Sequence, residues 1–559
     1  MGERDVNDLE VDLRLISPHW REGGAGAGTG GAAAPGAPGL WVRGDLPCPA
    51  PTDPAALRAH PGRLAAVEVG ADEVVLAQDR LRSWPLFWSI QPSAPGRPRR
   101  LVISDDAAAM RAALEAPALD ERACREMVDA GFVSGADTLL RDVFQVEQGS
   151  MVRIDLRSGR ASTTSHSLGR FDEDGVIEDP QAFSDLLEGA LDAVMGRLVD
   201  RLGEARIVLP LSGGLDSRLL VAWLALHGLG DRVVSFTYGR PGAREMEVSR
   251  AVAQAVGMQW HAVDYEPRAL RGAWGTQEAA DFLAQSYALS ALPHVQDWYA
   301  LTRLMDRGVV RPGDVVLPGH TLVGNMHDEH LLEAGRVRRS EVARALCWHH
   351  QDLQGRQARA WADPYRAAKL KDFLALRPFT GEARDVQSIL ESYNLRERQT
   401  KYINNSVRAY EHLGLDWALP MLDVEFWDAW HRGGVGLTAT RDFYGVLIGR
   451  LWDRATGSGQ GGQEDLPYFA VTRVDEATRS RLKSALAATG LLPLAERSFS
   501  TWSTLHDSMA FDALITDTPR PVAAAQLMAG RKLLGFWTSA FLADTWCPAS
   551  RLFSDLPRI

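Results

Sequence analysis

Between residues 206 and 265 two kinds of apolar pattern take turns along the chain. RIVLPL (206–211), RVVSFTYG (232–239) and QWHAVDY (259–265) are short aliphatic and aromatic blocks, the pattern of buried strands. Between them, SRLLVAWLALHG (217–228) and REMEVSRAVAQAVG (244–257) have helical patterning, and each closes on a glycine, Gly228 or Gly257. Strand–helix–strand–helix–strand with short connections implies right-handed crossovers and a parallel, doubly wound sheet. Just upstream, QAFSDLLEGALDAVMGRLVDRL places Phe183, Leu186, Leu187, Leu191, Val194, Met195 and Leu198 at the spacing of one amphipathic helix.

The first third follows another rhythm. RLAAVEVG, DEVVLAQDR, PLFWSI and RLVISDD read as strands broken by Gly, Asp and Pro, helical patterning returns around Leu119–Ala130, and QGSMVRID gives a further strand. This predicts a mixed α+β unit. SHSLGRFDEDGVIEDP (165–180) is polar, acidic and punctuated by Gly and Pro, which makes it the linker candidate and divides the chain into 1–170 and 171–559. From about 280 onward the pattern is mainly helical, with VRPGDVVLPGH (310–320) as one more strand and turn. A GSGQGGQ break precedes aromatic-containing helices, and residues 455–559 carry no functional signal.

Composition narrows the partners. With 559 residues, 45% hydrophobic, 24% charged and a net charge of -11, the chain has ample core and no basic block, so neither nucleic acid nor an anionic membrane is expected as partner. The cysteines at 48, 124, 347 and 547 form no CxxC and fit a reducing cytoplasm. No basic, apolar-cored signal opens the chain, and no run approaches the roughly 18 apolar residues of a membrane helix, so a cytoplasmic location is expected. Gly26, Gly28 and Gly31 satisfy GxGxxG, but inside a Gly/Ala/Pro tract with no strand before or helix after, so they read as a flexible loop and not a dinucleotide site.

The candidate chemistry lies at the end of the first buried strand, in Ser212-Gly213-Gly214-Leu215-Asp216-Ser217. Backbone amides at a strand-to-helix turn hold phosphates. The Lys of a Walker loop is missing, which excludes a kinase-like site. Asp216 is an anion in an anion cradle and makes sense as the ligand of a divalent cation lying against the phosphates. A loop that grips pyrophosphate suits attack by a carboxylate at the α-phosphorus of ATP, giving an acyl-adenylate that an amine converts to an amide. An ordinary serine-capped turn is the alternative reading.

SGGLDS in this setting resembles the pyrophosphate loop of the asparagine-synthetase superfamily. Asp79-Arg80-Leu81 through Pro85-Leu86-Phe87-Trp88 looks like a segment of that family's glutaminase-type domain, VVLPGHT (315–321) like its second phosphate-contacting motif, and residues 396–423 like its late helix and turn. The resemblance implies an N-terminal glutaminase-like (Ntn-type) α+β sandwich followed by an adenine-nucleotide hydrolase-like synthetase domain with a helical C-terminal part. Position 2 is Gly and the first cysteine is Cys48, so the sandwich lacks the catalytic cysteine of glutamine-dependent members. Pro318-Gly319-His320-Thr321, with Lys401, Asn405, Ser406, Arg408, Tyr410 and Glu411, is similar to the lasso-peptide cyclases, and more distantly to beta-lactam synthetase. The resemblance implies ATP and Mg²⁺ as cofactors, a precursor peptide as substrate, and a leader peptidase and leader-recognition protein as partners. It places Ser212, Gly213, Gly214, Asp216 and Ser217 on pyrophosphate, Asp216 on magnesium, and Pro210, Leu211, Tyr238 and Gly319 around the adenosine. His320, paired with Glu411, would move a proton of the attacking amine, and Arg441 would stabilise the developing charge. One position departs from the family: its second magnesium-binding aspartate falls on Val323, leaving Asp328 or Glu329 as nearby substitutes. His320, His327, Asp328, Glu329 and His330 can also be read as a transition-metal cluster, although HDEH lacks the i, i+4 histidine pair of a metalloprotease helix.

Overall fold

The computed structural model of the chain describes residues 9–23, 38–46, 50–93, 98–169, 171, 175–324, 328–355, 362–457 and 492–559. The Gly26–Gly31 tract, Cys48, His327 and the GSGQGGQ break after Gly457 lie outside the described residues, as does the side chain of Glu329.

Ten strands occupy the first third: β1 (Glu10–Arg14), β2 (Arg21–Glu22), β3 (Gly39–Gly44), β4 (Leu64–Val69), β5 (Glu73–Gln78), β6 (Phe87–Gln91), β7 (Arg100–Ser104), β8 (Phe144–Gln145), β9 (Ser150–Asp155) and β10 (Ala161–Ser165). They form a four-stranded sheet, β1-β7-β6-β8, and a six-stranded sheet, β10-β9-β5-β4-β3-β2. Alternation along β4 and β5 decides which way each face looks. Ala65, Val67, Val74 and Leu76 enter the main core together with Phe87, Leu101 and Ile103 of the smaller sheet. Leu64, Ala66, Val75 and Ala77 point the other way and pack with Leu57 of helix α1 (Pro54–Ala59). Helices α2 (Ala107–Ala113) and α3 (Glu121–Ala130) start on Asp106 and Asp120, whose carboxylates cap the free amides of the first turn. The expected mixed α+β unit is therefore present, with β1 as a strand that its acidic alternation did not announce.

The linker candidate is partly packed: His166, Ser167 and Phe171 are buried. Helix α4 (Pro180–Leu202) starts at its far end, capped by Asp179, and buries Phe183, Leu187, Leu191 and Met195 as the spacing predicts. Next come β11 (Ile207–Pro210), α5 (Leu215–Leu226), β12 (Val233–Gly239), α6 (Arg244–Ala255) and β13 (Gln259–Asp264), in the expected alternation. Two short strands, β14 (Val315–Val316) and β15 (Asp416–Trp417), complete a five-stranded sheet in the order β13-β12-β11-β14-β15 with every pair parallel. The order reverses direction at β11, so its carboxyl end opens a crevice between β12 and β14, where open α/β sheets bind ligands.

The rest of the described residues is mainly helical. One segment, Asn394–Ile403, is a wide π-type helix that buries Arg396, Glu397 and Lys401, with Lys401 Nζ donating to Glu397 at 2.6 Å and to the carbonyls of Val133 and Gly135. No helix among the described residues is long and apolar enough to cross a membrane.

Candidate functional site at the carboxyl edge of the parallel sheet

Three segments meet at the switch point. From β11 the chain runs through Ser212-Gly213-Gly214 into α5, whose N-cap is Gly214 and which has no side-chain cap, so its first amides face the crevice. The turn is self-bonded: Gly214 N–H donates to Ser212 Oγ at 3.1 Å and Ser217 Oγ to the Ser212 carbonyl at 3.2 Å. The Gly213 amide donates to Glu245 Oε1 at 3.3 Å, so a carboxylate on α6 already meets one of the loop's donors. From β14 comes Leu317-Pro318-Gly319, held so close to α5 that a Cβ on Gly319 would lie 3.0 Å from Ser217 N. From the far side comes the helix Asp442–Thr456, whose face packs on α5 and whose N-cap is Arg441.

These segments converge on Asp216. Arg441 Nη2 donates to Asp216 Oδ1 at 2.5 Å, the guanidinium lies 5.4 Å from the Tyr444 ring centre, and the Tyr444 hydroxyl, which donates to Met421 Sδ at 3.5 Å, lies beside Asp216 and Thr321. Burial pushes the Asp216 carboxyl above its ordinary value, against the pull of Arg441. Arg218, on the next turn of α5, is fully buried and donates to the Gly213 carbonyl at 3.3 Å, bracing the loop from behind; burial lowers its guanidinium to about 10.

Tyr238, at the end of β12, donates to Asp297 Oδ1 at 2.7 Å and stacks on Tyr265 with centroids 4.5 Å apart. Tyr410 donates to the other oxygen of Asp297 at 2.5 Å, so one buried carboxylate ties β12 to the late helix Val407–His412. His320 lies beside this group, with Nε2 at 3.5 Å from Ser406 Oγ. Burial, reinforced by His294, pushes its imidazole down to about 4, so at neutral pH it is an uncharged proton acceptor.

The structure thus brings Pro210 to Ser217, Gly319, His320, Tyr238 and Arg441 to one sheet edge, and leaves Glu411 out. Glu411 points to the N-terminal unit, where it accepts from Arg408 at 2.6 Å, Trp84 Nε1 at 2.8 Å, Trp417 Nε1 at 3.0 Å and Arg43 at 3.3 Å. The expected His320–Glu411 pair is not formed; with both oxygens engaged by cations and indoles, Glu411 is a structural anion. Asp328 does not substitute for the absent aspartate either: it caps the helix Glu329–Glu333 and lies 3.6 Å from His349. Val323 is completely buried and offers no donor atom. Among the described residues no group of three or more His, Cys, Asp or Glu side chains could hold a metal ion, while His327 and the Glu329 side chain of the transition-metal reading lie outside the described residues.

Sequence reasoning missed Asp297, Tyr444 and Arg218. Only Tyr444 carried a signal, its i, i+3 spacing from Arg441 on one helical face. The larger cavities are lined by other segments. One of about 730 Å³ lies between Arg240, Tyr265 and Arg268 on the sheet side and Leu505, Asp512 and Arg520 of the C-terminal region.

Residues 206–293, from the start of β11 to the segment before Asp297, match the family described as queuosine biosynthesis protein QueC. The match falls on the strand–loop–helix unit just described. Among solved structures, the NMN synthetase from Francisella tularensis is similar over 40% of this chain and 97% of its own, at 13% identity and a TM-score of 0.19. No curated protein matches the chain.

Proposed function

We propose that this chain is an ATP-dependent, AMP-forming amide ligase that closes a macrolactam within a precursor peptide, as a lasso-peptide cyclase does. One observation carries the reading: an uncapped helix N-terminus, a glycine-braced second loop and the Asp216–Arg441 pair meet at the switch point of a parallel sheet. Such a site binds a polyanion that leaves as pyrophosphate. A side-chain carboxylate of the peptide attacks the α-phosphorus of ATP, forming an acyl-adenylate and releasing pyrophosphate. The N-terminal amine then attacks the acyl carbon, AMP departs, and the amine proton is lost to an acceptor. His320, uncharged at neutral pH and half-buried beside Ser406, takes that proton.

In this reading the first amides of α5 hold the phosphates, Ser212 and Ser217 keep the turn in shape, and Arg441 carries positive charge to the oxygens. Pro210, Leu211 and Gly319 line the adenosine side. Tyr238 shapes that wall, its hydroxyl being committed to Asp297. A magnesium ion would add counter-charge, yet the residues present do not fit the family's two-carboxylate arrangement. Val323 has no donor and Asp216 already holds a cation, so no step here runs through a metal. A leader peptidase and a leader-recognition protein would supply the peptide.

The test is purified chain with ATP, Mg²⁺ and a candidate core peptide, read by mass spectrometry for loss of one water and by pyrophosphate release. Asp216→Ala is expected to lower release by about two orders of magnitude or more, the scale of losing a principal electrostatic group. Turnover of a small β-amino acid but of no peptide would transfer the assignment to a beta-lactam-synthetase-like activity. Nucleotide binding without any turnover would leave a binding scaffold, the reading that Val323 favours.

A further inference from the structure

Asp216 and Val323 mark where the family's magnesium ions would be held, and here those positions are already settled by the chain itself. Val323 is fully buried, so the second position is filled with hydrocarbon. At the first, Asp216 has one oxygen on Arg441 at 2.5 Å, with the Tyr444 hydroxyl beside it. Arg441 is no stray surface side chain. A Cβ on Gly324, in the loop that carries Val323, would sit 2.9 Å from Arg441 Cγ, so the glycine leaves room for the arginine stem. Tyr444 flanks the guanidinium one turn further along the same helix. An aliphatic residue in place of the aspartate, a glycine that admits an arginine and an aromatic that steadies it occur together around one carboxylate.

We propose that the Arg441 guanidinium does the work of the loop's divalent cation, bridging Asp216 and the departing phosphates, so that nucleotide binding here does not depend on a protein-held metal ion. The fork geometry suits this: five N–H donors allow one edge to stay on Asp216 while another meets phosphate oxygens. The inference rests on the nucleotide occupying this loop, as proposed above.

Calorimetric titration of ATP into the full-length chain, in excess EDTA and again in excess Mg²⁺, tests it without any need for turnover. Wild type is expected to bind ATP in EDTA with an affinity close to that in magnesium. Arg441→Met, which keeps the stem against Gly324, should lose about 10- to 100-fold in EDTA, the worth of one or two charge-assisted hydrogen bonds. Arg441→Lys should recover part of that loss, and thermal melting in the absence of nucleotide identifies any variant that is simply misfolded. Wild type binding only with magnesium, or Arg441→Met binding like wild type in EDTA, would overturn the inference and leave the nucleotide site standing. No ATP binding under either condition would sink the proposed function as well.

Discussion

Two arginines and two indole N–H groups fix the Glu411 carboxylate, and deleting its charge would leave Arg43 and Arg408 buried without their anion. Burial pushes that carboxyl up, but Arg408 and Arg43 bring it below its ordinary range overall, so it is charged at neutral pH. Glu411→Leu is therefore expected to cost about 3–5 kcal/mol in urea unfolding, the range for breaking a buried pair. The activity of the remaining folded enzyme should keep its pH profile; a shifted profile would restore Glu411 to the chemistry. Its adjacency to Tyr410, which does bond at the site, explains why the sequence grouped the two. Successive helical residues point about 100° apart, and the chain alone does not say which way the helix is turned. The buried imidazoles give a second prediction at this scale. His294, like His320, is pushed down to about 4 by burial, against 6.5 when unfolded, so between those values the unfolded chain holds a proton that the folded one does not. Stability from this source is complete above pH 6.5 and is lost as pH falls towards 4. Asp423, whose carboxyl burial pushes up to about 7, acts with the opposite sign, so the difference between variants is the clean measure. The melting temperature of His294→Gln relative to wild type should move in the variant's favour from pH 7 to pH 4.5. A constant difference would mean the imidazole titrates normally.

Among the elements, those that could be read from the chain were those whose burial is expressed in their own residues. β11 and β12 are aliphatic runs because both faces are covered, and α5 and α6 end at Gly228 and Gly257, which adopt left-handed φ of 69° and 70°. β14 was legible as the strand and turn of VRPGDVVLPGH, whereas β15 pairs over only two residues, too short for any periodicity, and exists because β14 offers it an edge. The π-type helix was not legible either, since its wide turn displaces side chains from the 3.6-residue rhythm that sequence patterns follow. The site follows the same division. The SGGLDS loop announces itself because backbone approach demands glycine locally, while the Asp297 and Tyr444 contacts are made by chance-looking polar residues across more than fifty positions of sequence. Gly324 tests how far the loop after β14 is shaped for Arg441. Its φ is 54° and a Cβ would press on the arginine stem at 2.9 Å. Gly324→Ala should raise the ATP dissociation constant about tenfold while changing the melting temperature little, because the strain of about 1 kcal/mol and the displaced guanidinium are local to the loop. A large loss of stability with unchanged affinity would place the glycine in the framework instead.

Taken as one molecule, the chain folds residues 557–559 back onto the segment before α3. Leu119 N–H donates to the Pro557 carbonyl and Ile559 N–H to the Leu119 carbonyl, which fastens the C-terminus beside α3. The segment before it crosses to the parallel sheet. There Arg240, just past β12, takes the Ser508 carbonyl with its backbone N–H at 2.7 Å, the Asp507 carbonyl with Nε at 2.8 Å and Asp512 with Nη2 at 2.6 Å. Phe511 is thereby set edge-on against both Tyr238 and Tyr265, and Gly239 gives the room, since a Cβ there would come within 3.1 Å of the Ser508 carbonyl. The C-terminal region, which carried no signal of function in its sequence, is in this way the outer support of the wall that Tyr238 forms at the sheet edge. Arg240→Ala would remove two of the three bonds and leave the buried Asp512 with Arg520 at 3.5 Å as its ion-pair partner. Because Arg240 is partly exposed and Asp512 keeps a cation, the loss falls in the range of about 1–3 kcal/mol for hydrogen bonds to a charged group, confined to this contact. Local opening on that scale is large enough to be seen by protease. Chymotrypsin should cut the variant around Trp502 and Phe511 much faster than wild type, and ATP should slow the cutting if the proposed nucleotide site is correct. Unaltered cleavage would mean that the C-terminal contacts with α3 hold the segment without Arg240, and that the wall behind Tyr238 stands independently of it.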